Sequence, residues 1–297
     1  MCNANSFFQK ISNPNAAVTA IPSSRTFPEF LDQRLETYLP AIQTFCELVE
    51  ESASTFKLLE KIRTPGTFNA QLRMSLLKIF RRCACTILDT EATKKITKIS
   101  TLSLVEAYGD LFKDIELLKT QFSKISQYEL SSLAVLLGEY DDRGQQGYIL
   151  SDLFFEWFEV TFKEKFSIEG PRGAGRDIEL SSVFSSFTGS YPCDFIIRDG
   201  FTREVKAVGF ARYDSTRGGS QSDDRTGGNS DKVHKAIKFN IDTGNKFKII
   251  FLSDGPGLTH GDTWREACVL DGSWDGNVRV STLKTAEDRI TEEWLLS

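Results

Sequence analysis

The chain has 297 residues, 40% of them apolar and 26% charged, so it is a globular protein of about two domains with ample length for a core. No run of about 18 apolar residues occurs, and the first twenty residues lack the basic and apolar blocks of a signal peptide, so a cytoplasmic protein without a transmembrane helix is expected. The net charge of −5 argues against a nucleic-acid partner only as a sum. Between Lys61 and Lys98 nine bases (Lys61, Arg63, Arg73, Lys78, Arg81, Arg82, Lys94, Lys95 and Lys98) face two acids, Asp89 and Glu91, whereas residues 261–297 hold eight acids and four bases. An acidic chain with one basic stretch can hold DNA on one side, or the stretch can be a solvated helix face.

From residue 28 to about 140 the apolar residues recur at helical spacing. Leu35, Leu39, Ile42, Cys46 and Val49 share one face, with a kink or a fresh start at Pro40. Thr64-Pro65-Gly66 breaks the pattern, and further amphipathic runs extend from Phe68 to Ile87, Leu104 to Phe122 and Glu129 to Leu137. Residues 141–147 form a polar loop, and the aromatic run 149–166 (Phe154, Phe155, Trp157, Phe158, Phe162) predicts one more helix, buried between the halves. Residues 1–166 are therefore expected to form a helical domain.

The loop 170–176 is glycine-rich but lacks the Gly-Lys-Ser/Thr ending of a P-loop. A short helix is expected over 177–187. Strands are expected at 193–198 and 202–210, joined at Asp199-Gly200. Residues 211–230 read as a polar loop, 231–242 as a helix, and 247–252 as a buried parallel strand. A helix at 263–270, a strand at 277–283 and a terminal helix at 286–296 complete an α/β domain over 167–297.

Six cysteines (Cys2, Cys46, Cys83, Cys85, Cys193, Cys268) and two histidines (His234, His260) offer no zinc pattern, because the close pair Cys83 and Cys85 lies on a helical run without partners. Free thiols and structural or surface histidines are expected. The chemistry concentrates instead at 191–206. Asp194 stands on an apolar strand run with no evident structural reason, and Glu204 and Lys206 share a strand face two residues apart. Two carboxylates can hold magnesium, which polarises a phosphodiester and activates water, and a lysine can orient that water or neutralise the developing charge. A three-residue loop, Asp199-Gly200-Phe201 with its glycine left-handed, or a bulge, is expected to bring Asp194 opposite Lys206.

Pro192-Cys193-Asp194 followed by Glu204-Val205-Lys206 resembles the motif of the PD-(D/E)xK nuclease superfamily, to which most type II restriction endonucleases belong; the proline is displaced by one residue. The resemblance covers about residues 167–260, and the segment 251–257 with Trp264-Arg265 is similar to the tail of several restriction endonucleases. It implies an αβββαβ mixed-sheet core and magnesium-dependent hydrolysis of double-stranded DNA leaving 5′-phosphates. It also implies a homodimer on a palindromic target. The implied catalytic residues are Asp194, Glu204, Lys206 and an acid from the preceding helix, Glu179 or else Asp177, with Asp194, Glu204 and Val205 as metal ligands. Arg176, Arg212, Arg217, Arg225, Arg81 and Arg82 are expected to meet DNA, although the loop arginines can equally belong to a flexible surface loop balanced by its own acids. The rival expectations are a repair, recombination or modification-dependent nuclease on the same core, and a non-catalytic DNA-binding or interaction protein.

Overall fold

The computed structural model describes residues 6–22, 26–139, 141, 144–216 and 222–297, with the side chains of 222–227 outside the description. It divides into two compact units, Ser24–Asp142 and a second made of Met1–Ser23 with Arg143–Ser297. The division thus falls earlier than residue 166, and the aromatic helix goes with the α/β unit. Among the described residues no helix is long and apolar enough to cross a membrane.

The first unit is helical, as the 3.6-residue period predicts. Its main helices are α1 (Phe30–Glu50), α2 (Thr55–Arg63), α3 (Ala70–Cys83), α4 (Thr101–Tyr108), α5 (Ile115–Phe122) and α6 (Gln127–Leu137). Pro40 neither ends nor restarts α1, which runs through it. The helix buries Tyr38, Ala41, Ile42, Phe45, Leu48 and Val49 along one face, and this packing outweighs the one hydrogen bond that proline removes. Polar side chains start the helices where the sequence signals them: Ser54, Asn69, Ser100 and Asp114 accept amide hydrogen bonds, and Ser126 with Glu129 forms a reciprocal capping box.

Part of the basic stretch in this unit is structural. The buried Arg63 donates to the carbonyls of Thr93 and Ile99 at 2.9 and 2.6 Å, closing two turns. Lys78 meets Asp141 at 3.0 Å, and Asp141 also accepts from Tyr38 and Arg34, both at 2.6 Å. Arg81 is exposed, and Arg82 lies 3.9 Å from Glu139.

The second unit is built on a five-stranded mixed sheet in the order β1 (Phe166–Glu169), β4 (Phe195–Asp199), β5 (Val205–Tyr213), β6 (Lys248–Asp254), β7 (Val278–Ser281). The first three strands form an antiparallel meander, and β6 and β7 join in parallel. A two-residue ribbon, β2 (Ile178–Glu179) with β3 (Pro192–Cys193), stands apart from the sheet. Parallel pairing requires crossovers, supplied by α8 (Ser222–Thr243) and α9 (Gly261–Leu270).

Both faces of the sheet are covered. Val208, Phe210, Ile249 and Phe251 pack against Val233, Ala236 and Phe239 of α8 and Ala267 of α9. Phe195, Ile197, Ala207, Ile250 and Leu252 share the opposite cluster with Phe154, Phe155 and Phe158 of α7 (Gln145–Phe162). Trp294 joins that cluster from α11 (Glu292–Leu296), which comes after the one-turn α10 (Ala286–Arg289). The aromatic helix is therefore core, as its density predicts, but within one unit.

Four local expectations need correction. Residues 166–169 are a strand, where the aromatic run predicts the end of the preceding helix. Residues 177–187 form a ribbon strand and a 3-10 turn in place of an α-helix. Helix α8 begins at Ser222, well before residue 231. The terminal helix is broken into α10 and α11.

This packing has two testable consequences. A Cβ at Gly209 would stand 1.9 Å from the Phe195 ring tip, so Gly209→Ala should destabilise the α/β unit by about 2 kcal/mol in chemical denaturation, with backbone displacement of β4. Burial pushes the Asp141 carboxyl up, but the Tyr38 and Lys78 hydrogen bonds outweigh it and hold it below its usual value. Its stabilising contribution is therefore present above the ordinary carboxylate pKa and lost as pH falls through the lowered one. Asp141→Ala should cost about 2 kcal/mol at neutral pH and flatten the acid limb of the stability curve.

Candidate functional site

The hairpin that carries the motif is longer than expected and is out of the expected register. Asp199 donates its amide to the Glu204 carbonyl at 2.9 Å, and its Oδ1 accepts from Phe201 and Thr202, both at 2.9 Å. The loop is therefore the four residues Gly200–Arg203, and Arg203, not Gly200, takes the left-handed conformation at φ 61°. Gly200 is required for a different reason: a Cβ there would sit 1.9 Å from the Glu164 carbonyl oxygen. The ladder slips between Ile197 and Arg198, leaving Lys206 as the extra residue of a bulge.

Beyond that bulge Phe195 pairs with Gly209, and the Asp194 amide donates to the Gly209 carbonyl at 2.9 Å. Asp194 thus lies beside Phe210, four residues along β5 from Lys206 and six from Glu204. At about 3.3 Å per residue these spans are about 13 and 20 Å. The bulge was expected; the meeting of Asp194 with Lys206 does not occur. Glu204 and Lys206 meet each other at 2.6 Å on the loop side of the hairpin, with the Glu204 side chain 64% exposed. Val205 pairs with Arg198 at that same end, so Asp194, Glu204 and Val205 do not surround one ion.

Asp194 instead belongs to the opposite end of the sheet, where the parallel strands finish. It lines a cleft of about 290 Å³ with Phe210, Arg212, Asn229, Lys232 and Ser253. Its Oδ2 accepts the Ala211 amide at 2.8 Å, which gives the acid the structural reason absent from the sequence. Burial raises the Asp194 carboxyl above its ordinary value, the Ala211 amide opposes this, the Asp177 charge raises it further, and Lys232 pulls it down. The Lys232 ammonium lies 3.6 Å from the Phe210 ring centroid, and burial lowers its pKa against the pull of Asp194, Cys193 and Asp177. Arg212 is oriented by Asp214, whose Oδ1 accepts from Nε at 2.8 Å and Nη2 at 2.7 Å.

The remaining candidates fall apart by position. Glu179 lies on the ribbon and accepts from the Tyr191 amide at 2.9 Å and from Ser190 Oγ at 3.0 Å, so its carboxylate pins the approach to β3. Asp177 is exposed and acts on Asp194 through its charge, which makes it the acid nearer in effect. Arg176 is exposed two residues before the ribbon. Arg217 and the Arg225 side chain lie outside the described residues. His234 and His260 are exposed, and Cys46, Cys83, Cys85 and Cys193 are free thiols. Burial pushes the Cys193 thiol up to about 12, so it stays protonated and inert.

Lys232 is the residue that sequence reasoning missed. Its only signal is one polar position beside Val233 on an amphipathic helix, and it needs the α8 crossover to reach Asp194.

Among the described residues no group of three or more His, Cys, Asp and Glu side chains stands ready to hold a metal ion. Comparison with protein-family models, with curated proteins and with solved structures finds no match for this chain. The charge effect of Lys232 on Asp194 has a direct readout. Lys232→Met should raise the Asp194 carboxyl pKa further in an NMR titration, because it removes a charge that favours the carboxylate. An unchanged value would separate the two groups electrostatically.

Proposed function

We propose that this protein is a magnesium-dependent nuclease of the PD-(D/E)xK kind that hydrolyses double-stranded DNA as a type II restriction endonuclease does, leaving 5′-phosphates and working as a homodimer. The observation that carries the reading is the helix–strand–strand–strand–helix–strand order from α7 through β1, β4, β5, α8 and β6, with a half-buried acid at the start of the middle strand. The five-stranded mixed sheet with helices on both faces supports the reading, and the cleft lies beyond the carboxyl ends of parallel strands, where open α/β sheets bind ligands.

The site is assigned to Asp194, Asp177 and Lys232, with Arg212 beside them, in place of the Glu204–Lys206 pair. Magnesium is held by one or two carboxylates together with water and substrate oxygens, and the Asp194–Asp177 pair fits that chemistry. Among the described residues no hydrogen bond uses Asp194 Oδ1, and the Asp177 charge acts on Asp194. When bound there, the ion would polarise the scissile phosphate and lower the pKa of the attacking water.

The protein's own residues do the rest. Asp194, fixed by the Ala211 amide, holds its carboxylate in one orientation. Lys232, half-desolvated against Phe210, presents a positive charge where the phosphate gains negative charge, and partial burial strengthens that attraction. Arg212, held by Asp214, has guanidinium donors left to clamp a phosphate oxygen.

Phage DNA incubated with the protein and magnesium should give discrete bands. Asp194→Asn and Lys232→Ala should each slow cleavage by about a hundredfold or more, while Glu204→Gln stays within about threefold of the parent. Loss of cleavage in Glu204→Gln and Lys206→Ala with Lys232→Ala unaffected would move the active site to the hairpin loop. Smearing, or cutting restricted to modified or branched DNA, would favour a repair or modification-dependent nuclease. Absence of cleavage on all these substrates would leave a DNA-binding or interaction protein and overturn the proposal.

A further inference from the structure

The opposite end of the same sheet carries a second concave site. Residues 271–277 connect α9 to β7, at the amino-terminal ends of the parallel strands. A cleft of about 570 Å³ opens there, lined by Ser273, Trp274, Asp275, Arg279 and Arg289. Its two arginines differ in what neutralises them. Arg289 Nη2 is paired with Asp271, whose carboxylate is fully buried and also accepts from Ser6 Oγ, Phe7 N and Val280 N. Arg279 makes no ion pair among the described residues. Its Nη1 donates to the Arg289 carbonyl, and its guanidinium lies 4.6 Å from the Trp294 ring centroid. Burial and the neighbouring Arg289 charge lower the Arg279 pKa, against the pull of Asp271 and Glu293, while Asp271 and Asp288 act on Arg289.

The loop facing these arginines is shaped for an acceptor. Gly272, Trp274, Asp275 and Gly276 have φ of 79°, 49°, 53° and 82°, and two of these are side-chain-bearing residues in the left-handed region. Such conformations persist only where something gains from them. The amides of Gly272, Ser273, Gly276 and Asn277 donate to neighbouring carbonyls, whereas among the described residues those of Trp274 and Asp275 have no backbone acceptor. Ser273 Oγ is buried without a hydrogen-bond partner, a group whose desolvation goes uncompensated unless a ligand or water answers it. The exposed Asp275 carboxylate stands on the rim and disfavours a weakly held anion.

We infer that this cleft binds a phosphate group, held by the free donors of Arg279, the loop amides and Ser273 Oγ. A guanidinium fork with adjacent main-chain amides matches the geometry of a phosphate's oxygens. The site lies away from the Asp194 cleft, so the inference does not depend on the nuclease reading.

Calorimetric titration of the full chain without magnesium tests it, with inorganic phosphate, AMP, and a short duplex with and without a 5′-phosphate as probes. Binding of inorganic phosphate or AMP supports a free phosphate-bearing ligand. Binding of the duplex only when 5′-phosphorylated supports a DNA end as the source. In either case Arg279→Gln should weaken binding by at least about tenfold with the fold retained by circular dichroism. If that variant fails to fold, Arg279→Lys keeps the charge but not the fork, and an affinity equal to the parent's overturns the inference. So does the absence of heat with every probe, or equal binding of the two duplexes with none of the small anions.

Discussion

The close approach of the Phe195 ring to Gly209 is the contact on which the α/β unit depends. A ring that reaches across the ladder to a residue without a side chain admits one register, because a one-residue slip would place Val208 or Phe210 beneath it and turn every β4 side chain to the wrong face. Phe195 is fully buried and packs against Phe154 and Phe155 of α7, so the same ring ties the helix to the sheet. With that register fixed, the hairpin must absorb its surplus length elsewhere. It does so with a four-residue loop and a bulge at Lys206.

The ends of the sheet are held by electrostatics. Asp254 and Asp271 are fully buried carboxylates, and each is surrounded by donors that reach it from distant parts of the chain. Asp254 accepts from the amides of Thr19, Gly255 and Leu283 at 2.6, 2.7 and 2.9 Å. Asp271 gathers Ser6, Phe7, Val280 and Arg289. Through these hydrogen bonds the two side chains fasten the segment 6–22 to the ends of β6 and the entry of β7. Tyr213 adds to this, because its hydroxyl accepts from the Ile21 amide at 2.7 Å and donates to the Thr19 carbonyl at 3.1 Å. The first residues of the chain are therefore part of the α/β unit, far in sequence from the strands they brace.

The sequence made the periodic elements legible and left the register hidden. The helical unit could be read because its apolar residues repeat at 3.6 and its caps are marked by Ser, Asn and Asp. The run at 247–252 could be read as a buried parallel strand because it is apolar on both faces, and β6 is that strand. Residues 177–187 misled because Ile178, Val183, Phe184 and Phe187 satisfy helical spacing, while the pairing of Ile178 with Cys193 is a long-range fact. The start of α8 carried no apolar signal, since residues 222–230 are Ser, Asp, Arg, Thr, Gly and Asn. The candidate site failed for a related reason. Asp194, Glu204 and Lys206 were joined by counting residues across a turn, and a four-residue loop with a bulge changes that count without changing the composition.

The longer loop separates two chemistries that the motif had merged. The exposed Glu204 and the half-buried Lys206 satisfy each other at the loop end of the hairpin. Asp194 and Lys232 are both drawn out of water, and burial pushes each toward its neutral form. Partially desolvated groups of opposite sign in an open cleft are poised to change protonation or to meet a charged substrate, and such perturbation concentrates at functional sites. The structural duty of Asp194 toward Ala211 does not compete with this. One carboxylate oxygen fixes the orientation, and a side chain that cannot turn presents the other oxygen to the cleft in a constant position. Preorganisation of that kind is what a site needs if its acid is to act on a substrate rather than reorganise around it.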